Sequence, residues 1–285
     1  MSMSEPPREP RRRGSELPAP WSWVSRMAPA RGPLIVMYHG IGGEDGLPLD
    51  QFERQLDVLS EVRRIVPLKE AVTALGTVEA HQLAAITFDD GYRDFAQLAV
   101  PALVRRGLHA TVFVPAGLIG DQNRWDTDSG VAPPRAILDG AGLRDLDDRH
   151  VEVGGHGLTH CRLAGLSPER LQAETAEARA RLEDVCGRAI RLFAYPYGQL
   201  DDFDHAAEEA LEQAGFAAAC STHFGRGSSP RERFRLRRVG VRPSDTPLDF
   251  QKKLLGAADW VTPKEKLGAA LRRFRRTALS SSPSD

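Results

Sequence analysis

Short, wholly apolar runs alternate along the chain with longer stretches in which apolar residues recur every three or four positions. The first pattern suits parallel strands covered on both faces, the second helices with one buried stripe. Leu34-Ile35-Val36-Met37-Tyr38 is the first such run and ends in His39-Gly40; Phe52, Leu56 and Leu59 follow at helical spacing. Val66-Pro67-Leu68 and a helix around Glu70 to Leu75 lead into Ala85-Ile86-Thr87-Phe88, which stops abruptly at Asp89-Asp90-Gly91. A helix from Tyr92 to Arg106, with Gly107 as its stop, precedes a strand over Ala110 to Val114. Beyond a glycine-rich loop containing Trp125-Asp126, the stretch Val151 to Gly155 predicts a strand that delivers His156. Ser167-Pro168 gives an N-cap and first-turn proline to a helix closed by Gly187, with Leu171, Ala178, Leu182 and Val185 on its inner stripe. Arg191 to Tyr195 predicts a strand, Asp204 to Ala214 a helix ended by Gly215, and Phe216 to Cys220 a further strand. Phe234 to Val241 alternates so that Phe234, Leu236 and Arg238 share one face of a late strand. Phe250 to Trp260 and Lys264 to Leu279 are helical in pattern.

A strand–helix rhythm without linker or internal repeat predicts one barrel-like α/β domain over residues 32–262. Residues 1–31, rich in Pro, Arg, Glu and Ser, form an aperiodic leader expected to be disordered, with Trp21 and Trp23 able to tack it to a surface. Residues 263–285 are a basic helix and tail, either packed on the barrel with its arginines in water or making peripheral contact with a membrane. With 285 residues, 41% of them hydrophobic, the chain can furnish a normal core, and its net charge of -1 gives no reason to expect nucleic acid as a partner. Three cysteines without a C-x-x-C pair read as free thiols of a reducing compartment. Arg11-Arg12-Arg13 is not followed by an apolar signal core, and no uncharged run reaches the ~18 residues of a spanning helix, so a cytoplasmic location without a transmembrane segment is expected.

In such barrels the active site gathers at the C-terminal ends of the strands. Those ends carry His39, Asp89-Asp90, His156 with His160, and Tyr195-Pro196-Tyr197-Gly198. Two neighbouring carboxylates repel, and each raises the other's pKa unless a cation lies between them. A cap on the following helix is the alternative use of Asp90. Imidazoles four residues apart just past a strand can turn onto one cation, and two histidines with one carboxylate leave positions open for water and substrate.

Thr87-Phe88-Asp89-Asp90-Gly91 resembles the first motif of the polysaccharide deacetylases, the NodB-homology family. His156 to His160 resembles their second motif and Phe193-Ala194-Tyr195-Pro196-Tyr197-Gly198 their third, in the same order, within a likeness extending over about Leu34 to Trp260. The resemblance implies a distorted (β/α) barrel and divalent-metal-dependent removal of an N-acetyl group, usually from a sugar. It implies Asp90, His156 and His160 as metal ligands, Asp89 as general base, and the backbone N–H of Tyr197 as donor to the oxyanion. Trp125 and Asp126, with Tyr195 and Pro196, then fall on the substrate side. Zinc is the first expectation for the metal, with cobalt, nickel and iron also suited to the donors.

The chain departs from the family pattern twice. Where many members carry an arginine two residues before the proline of the third motif, this chain has Ala194; Arg238 could supply the guanidinium from another strand, or lie with Arg235 and Arg237 on an exposed basic edge. The C-terminal leucine-x-histidine motif that supplies the catalytic acid is absent, since His205 and His223 lack its context. Val36-Met37-Tyr38-His39 carries that context on the first strand, as in relatives acting on poly-N-acetylglucosamine, which makes His39 the expected acid; a histidine that only closes a loop is the alternative. Cys161 reads as a small buried thiol rather than a fourth ligand.

The expected function is a metal-dependent deacetylase, a hydrolase of non-peptide carbon–nitrogen bonds acting on an N-acetylated sugar or glycan precursor. A cyclic imide or ureide amidohydrolase on the same scaffold is an alternative, as is a catalytically impaired glycan-binding module, motivated by the missing arginine. An aspartyl phosphotransferase is excluded, because that chemistry wants acids at alternating positions and residue 91 is glycine.

Overall fold

The computed structural model describes residues 32–255 apart from Ser129 and Arg226. The expected leader with Trp21 and Trp23, the domain end at 256–262 with Trp260, and the basic helix of 263–285 lie outside the described residues.

The apolar runs become strands: β1 (Leu34–Tyr38), β2 (Arg64–Ile65), β3 (Leu83–Phe88), β4 (Ala110–Val114), β5 (Val151–Gly155), β6 (Leu192–Ala194), β7 (Ala218–Phe224) and β8 (Leu236–Gly240). All neighbours pair in parallel, in the order β1-β8-β7-β6-β5-β4-β3-β2, and β1 also pairs with β3. That last pairing closes seven strands into a barrel and leaves β2 as a two-residue graft on β3. Successive residues alternate between two apolar clusters, as the strand period requires. Val36, Tyr38, Ile86, Phe88, Val112 and Val114 join the helices outside, whereas Ile35, Ala85, Phe113, Ala194, Cys220 and Leu236 fill the lumen.

Gly154 lies opposite Phe113 in the β4–β5 register. A Cβ there would stand 2.5 Å from the Phe113 ring and 2.9 Å from the Leu192 carbonyl oxygen, so only glycine lets the ring occupy the lumen.

The helices follow the apolar stripes. Leu49–Val62 buries Phe52, Leu56 and Leu59, and the Phe52 ring meets Tyr38 and Phe88 edge-on. Ser167 caps the helical run that starts at Pro168 by accepting from the Arg170 N–H, and Gly187 ends it in the left-handed conformation (φ 66°). Asp204 caps His205–Gln213 through the Ala207 N–H.

Four bounds differ from the sequence reading. The helix expected from Tyr92 begins after it, because Tyr92 instead bridges to Ile137 of a loop folded over the strand ends. The helix expected around Glu70 to Leu75 is Leu68–Thr73, following directly on Pro67. β7 starts later than Phe216, whose ring packs edge-on against Phe193, and continues through Ser221-Thr222-His223, polar residues admissible where a strand nears the rim. Phe234 does not share a strand face with Leu236 and Arg238: it precedes β8 and belongs to the outer cluster, where its carbonyl accepts the Tyr195 hydroxyl. Among the described residues no helix is long and apolar enough to cross a membrane.

Candidate active site and metal centre

β3 ends at Phe88, and the next residue is held to the end of β1 by the Asp89 N–H donating to the Tyr38 carbonyl (3.0 Å). Asp89 keeps its side chain inside the barrel, 2% exposed. There it meets Arg238 of β8, 0% exposed, whose Nη1 and Nη2 donate to Oδ1 (2.6 Å) and Oδ2 (2.7 Å). Nε donates to the Ser221 carbonyl and Nη1 also to the Thr87 hydroxyl. Such a fork-to-fork pair fixes the carboxylate in plane as well as in charge. Burial alone would raise the Asp89 pKa, but the charge of Arg238, with smaller pulls from His156 and His39, holds it below the ordinary carboxylate value.

Asp90 turns the other way. Its φ of 70° is left-handed, and the turn directs its carboxylate at the second motif. Asp90 Oδ1 lies 3.4 Å from His156 Nε2 and 3.3 Å from His160 Nε2, all three residues being buried. Among the described residues these three form a group whose ligand atoms lie within 4.8 Å of one another. Burial opposes ionisation of Asp90, yet hydrogen bonds from the two imidazoles outweigh it and hold its pKa well below the usual range.

His156 Nδ1 is 2.7 Å from the Ala194 carbonyl oxygen, which can only accept, so Nδ1 carries a proton and Nε2 is the nitrogen turned to Asp90 and His160. His160 stacks on the Trp125 indole (centroids 3.9 Å apart, 20° between planes) and meets the Tyr197 ring edge-on. Its buried Nδ1 has no hydrogen-bond partner. The two imidazoles shift oppositely: burial lowers both, but Asp90 and Asp89 carry His156 above the ordinary value while His160 stays below it. One carboxylate does not stabilise two imidazolium ions. The Nε2 atoms of two imidazoles and one carboxylate oxygen, converging in a buried pocket with His156 Nδ1 already committed to a carbonyl, are a donor set that fits a divalent transition metal.

Asp90, His160 and Tyr197 are the non-glycine residues with positive φ (70°, 60° and 60°) among those described. Such backbone is disfavoured for residues with a Cβ and gathers where function over-determines it. Tyr197 is held by the Thr222 hydroxyl donating to its carbonyl (2.7 Å), and Arg162 lies 4.1 Å over its ring.

His39 is exposed at the end of β1 on the wall of a cavity of about 870 Å³, shared with Thr222, Gln199 and Arg242, and its charge is felt by both Asp89 and Asp90. Trp125 and Asp126 sit on the short helix Arg124–Thr127 over the site. Burial first, and the Asp90 charge second, raise the Asp126 pKa.

Tyr195 is a correction to the expected substrate-binding set. Its side chain is 0% exposed, stacks on Phe203 (4.0 Å, 6°) and donates to the Phe234 carbonyl, all on the outer side of the barrel. Pro196 is likewise buried, behind Gly157, so this segment first faces the site at Tyr197. Arg238 is no exposed strand edge but the buried partner of Asp89, and Cys161 is half-buried and outside the Asp-His-His group.

Three residues were not singled out by the sequence reading. Tyr92 places its hydroxyl beside Asp90, and burial followed by the Asp90 charge pushes its pKa upward. Arg135 ties the loop after His39 to the start of the helical run that follows β3 and Tyr92, donating to Asp45, to Asp94 Oδ2 (2.7 Å) and to the Gly42 carbonyl (3.0 Å). Glu174 is buried on the helical run that follows the second motif. It stands three residues from Leu171 and four from Ala178, and an acid on that apolar stripe was the available signal.

Residues 78–219 match the model of the family described as polysaccharide deacetylase. The matched span contains Asp89, Asp90 and all of the second and third motifs, but neither His39 nor Arg238. YxkH of Bacillus subtilis strain 168, whose name places it among polysaccharide deacetylases, is 26% identical over 228 residues, 78% of this chain and 75% of its own length. Among solved structures, the Streptococcus pyogenes deacetylase PplD in complex with acetate superposes with a TM-score of 0.65 at 22% identity, covering 80% of this chain and 99% of that one. IcaB from Ammonifex degensii gives 0.64 at 24%, covering 81% and 97%. At these identities the likeness is one of fold, the closed (β/α) barrel.

Proposed function

Because the chain belongs to the polysaccharide deacetylase family, we propose that it hydrolyses the acetamide of an N-acetylated sugar with a divalent metal, zinc first among candidates, held by Asp90, His156 and His160. The observation that carries this reading is the unequal treatment of two adjacent acids. Asp90 points into the imidazole pair, while Asp89 is gripped by Arg238 and kept ionised.

When bound, the metal supplies the Lewis acidity that activates water and polarises the acetyl carbonyl. Asp89 takes the proton of the attacking water as its oxygen bonds to the carbonyl carbon. The Tyr197 N–H donates to the oxygen on which negative charge develops. His39 gives a proton to the nitrogen as the carbon–nitrogen bond breaks, leaving acetate and an amine. Trp125, stacked on His160, walls one side of the substrate position. Arg238 replaces the guanidinium missing at Ala194, which removes the motive for reading the chain as an impaired binding module.

The test is acetate release from N-acetylglucosamine oligomers and glycan precursors by protein reloaded with zinc or cobalt, compared with an activated aryl acetate ester. An ester leaving group needs little protonation, so His39→Ala should lower amide hydrolysis by about 10²- to 10⁴-fold and largely spare the ester. Equal loss on both substrates would exclude His39 as the acid. No acetate from any N-acetyl sugar would overturn the deacetylase reading.

A further inference from the structure

Glu174 is 0% exposed, yet among the described residues its one ion-pair partner is Arg170, whose Nη2 stands 3.7 Å away. Its close partners are residues of one turn. Oε2 accepts the backbone N–H of Leu158 (2.7 Å) and of Thr159 (3.0 Å), and Oε1 accepts the Thr159 hydroxyl (2.6 Å). All three bonds go to residues between His156 and His160. Burying a carboxylate is costly unless hydrogen bonds replace its water, and here the turn supplies them.

We propose that Glu174 is the positioning residue of the metal centre: through Leu158 and Thr159 it fixes the turn that carries His160 into its left-handed conformation and aims Nε2 at Asp90. The proposal rests on the reading of Asp90, His156 and His160 as ligands.

The surroundings agree from two sides. The carbonyls of Gly157 and Leu158 accept the Ala116 and Gly117 N–H groups (2.9 and 2.8 Å), so the loop after β4 holds one side of the turn. The N–H groups on the other side are left to Glu174. Gly157 has φ 77°, and a Cβ there would lie 2.9 Å from Glu174 Oε2, so the carboxylate fills the space under the turn. Glu174 itself stands in a π-helical segment, Ala173–Glu177, a local widening that recurs at functional sites.

Three variants separate hydrogen-bonding reach from charge. In Glu174→Gln the amide oxygen can accept both backbone N–H groups while the NH₂ donates to the Thr159 hydroxyl. Glu174→Asp keeps the charge but is one methylene too short to serve both amides, and Glu174→Ala removes everything. Two readouts are taken, the Co(II) dissociation constant by competition with a chelator, and amide hydrogen exchange of the metal-free protein. Glu174→Ala and Glu174→Asp should weaken Co(II) binding by about 10- to 100-fold, the range for groups that orient ligands. They should also strip protection from the Leu158 and Thr159 amides while β4 and β5 keep theirs. Glu174→Gln should stay within about threefold of the parent in both readouts. The reverse order, Asp retaining and Gln losing, overturns the proposal, as does unchanged protection of Leu158 and Thr159 in a folded Glu174→Ala. Should Glu174→Ala not fold, the order of Gln and Asp decides. A parent protein that binds no Co(II) defeats the metal reading, and the exchange data then still judge the role in the turn.

Discussion

Asp89 and Asp90 are identical in chemistry and adjacent in the chain, and only backbone geometry separates them. Asp89 continues the line of β3 into the lumen and meets Arg238; Asp90, left-handed at φ 70°, meets two imidazoles. Their substitutions should therefore fail differently. Asp89→Asn should retain metal and lose about 10²- to 10⁴-fold in turnover, the usual cost of a general base. Asp90→Asn should lose metal first, with activity recovering in part at high metal concentration. Elemental analysis beside acetate release decides it, and two variants with the same metal content and the same rate would refute the division. The motif made both acids conspicuous in the sequence, but an arginine that departs from the motif was legible only as an anomaly among apolar neighbours. Its partner could not be read, because 149 positions separate Arg238 from Asp89.

At the scale of elements, the lumen is narrow enough that β4 and β5 must trade volume. Phe113 reaches across it toward Arg238, 5.8 Å from the ring centroid, and Gly154 opposite yields the space. Gly154→Ala should cost about 1–3 kcal/mol, the range for an overpacked core, or a few degrees of melting temperature in a domain of this size. Calorimetry of that variant, alone and with Phe113→Leu, checks the cause: the second change should restore most of the loss, and failure to restore it would place the strain elsewhere. Helix ends were well read because their signals are local, as Ser167, Gly187 and Asp204 illustrate. Tyr92 was misread as a first helical turn because its partner, Ile137, belongs to a distant loop. Tyr195 was misread for a related reason: strand alternation sends it outward under Phe203, while its neighbours in the motif serve the site.

For the whole molecule, burying charged groups at one end of a barrel couples its stability to pH. Asp89 and Asp90 have folded-state pKa values held below the usual carboxylate value, so the unfolded chain binds more protons in that interval. Their stabilisation is present above the unfolded value of about 3.9 and is lost as pH falls through the depressed values. Urea midpoints of the metal-free protein from pH 7 downward should therefore drop in that acid window. Asp89→Asn should start lower at neutral pH, because Arg238 loses its counter-charge, and then fall less steeply; parallel curves would show that Asp89 contributes nothing to the acid limb. Sequence by itself determined the strands, the helix caps and the three motifs, because alternation, capping and turn chemistry act over a few residues. Which groups face one another at the site was decided by barrel closure, which pairs β1 with β3 and β8 and so brings the first and last described strands beside Asp89. That is why His39 could be placed at a strand end from its own neighbours, whereas the grip of Arg238 on Asp89 and of Glu174 on the His156–His160 turn needed the closed fold: burial makes a charged group find partners, and only the tertiary structure says which ones are within reach.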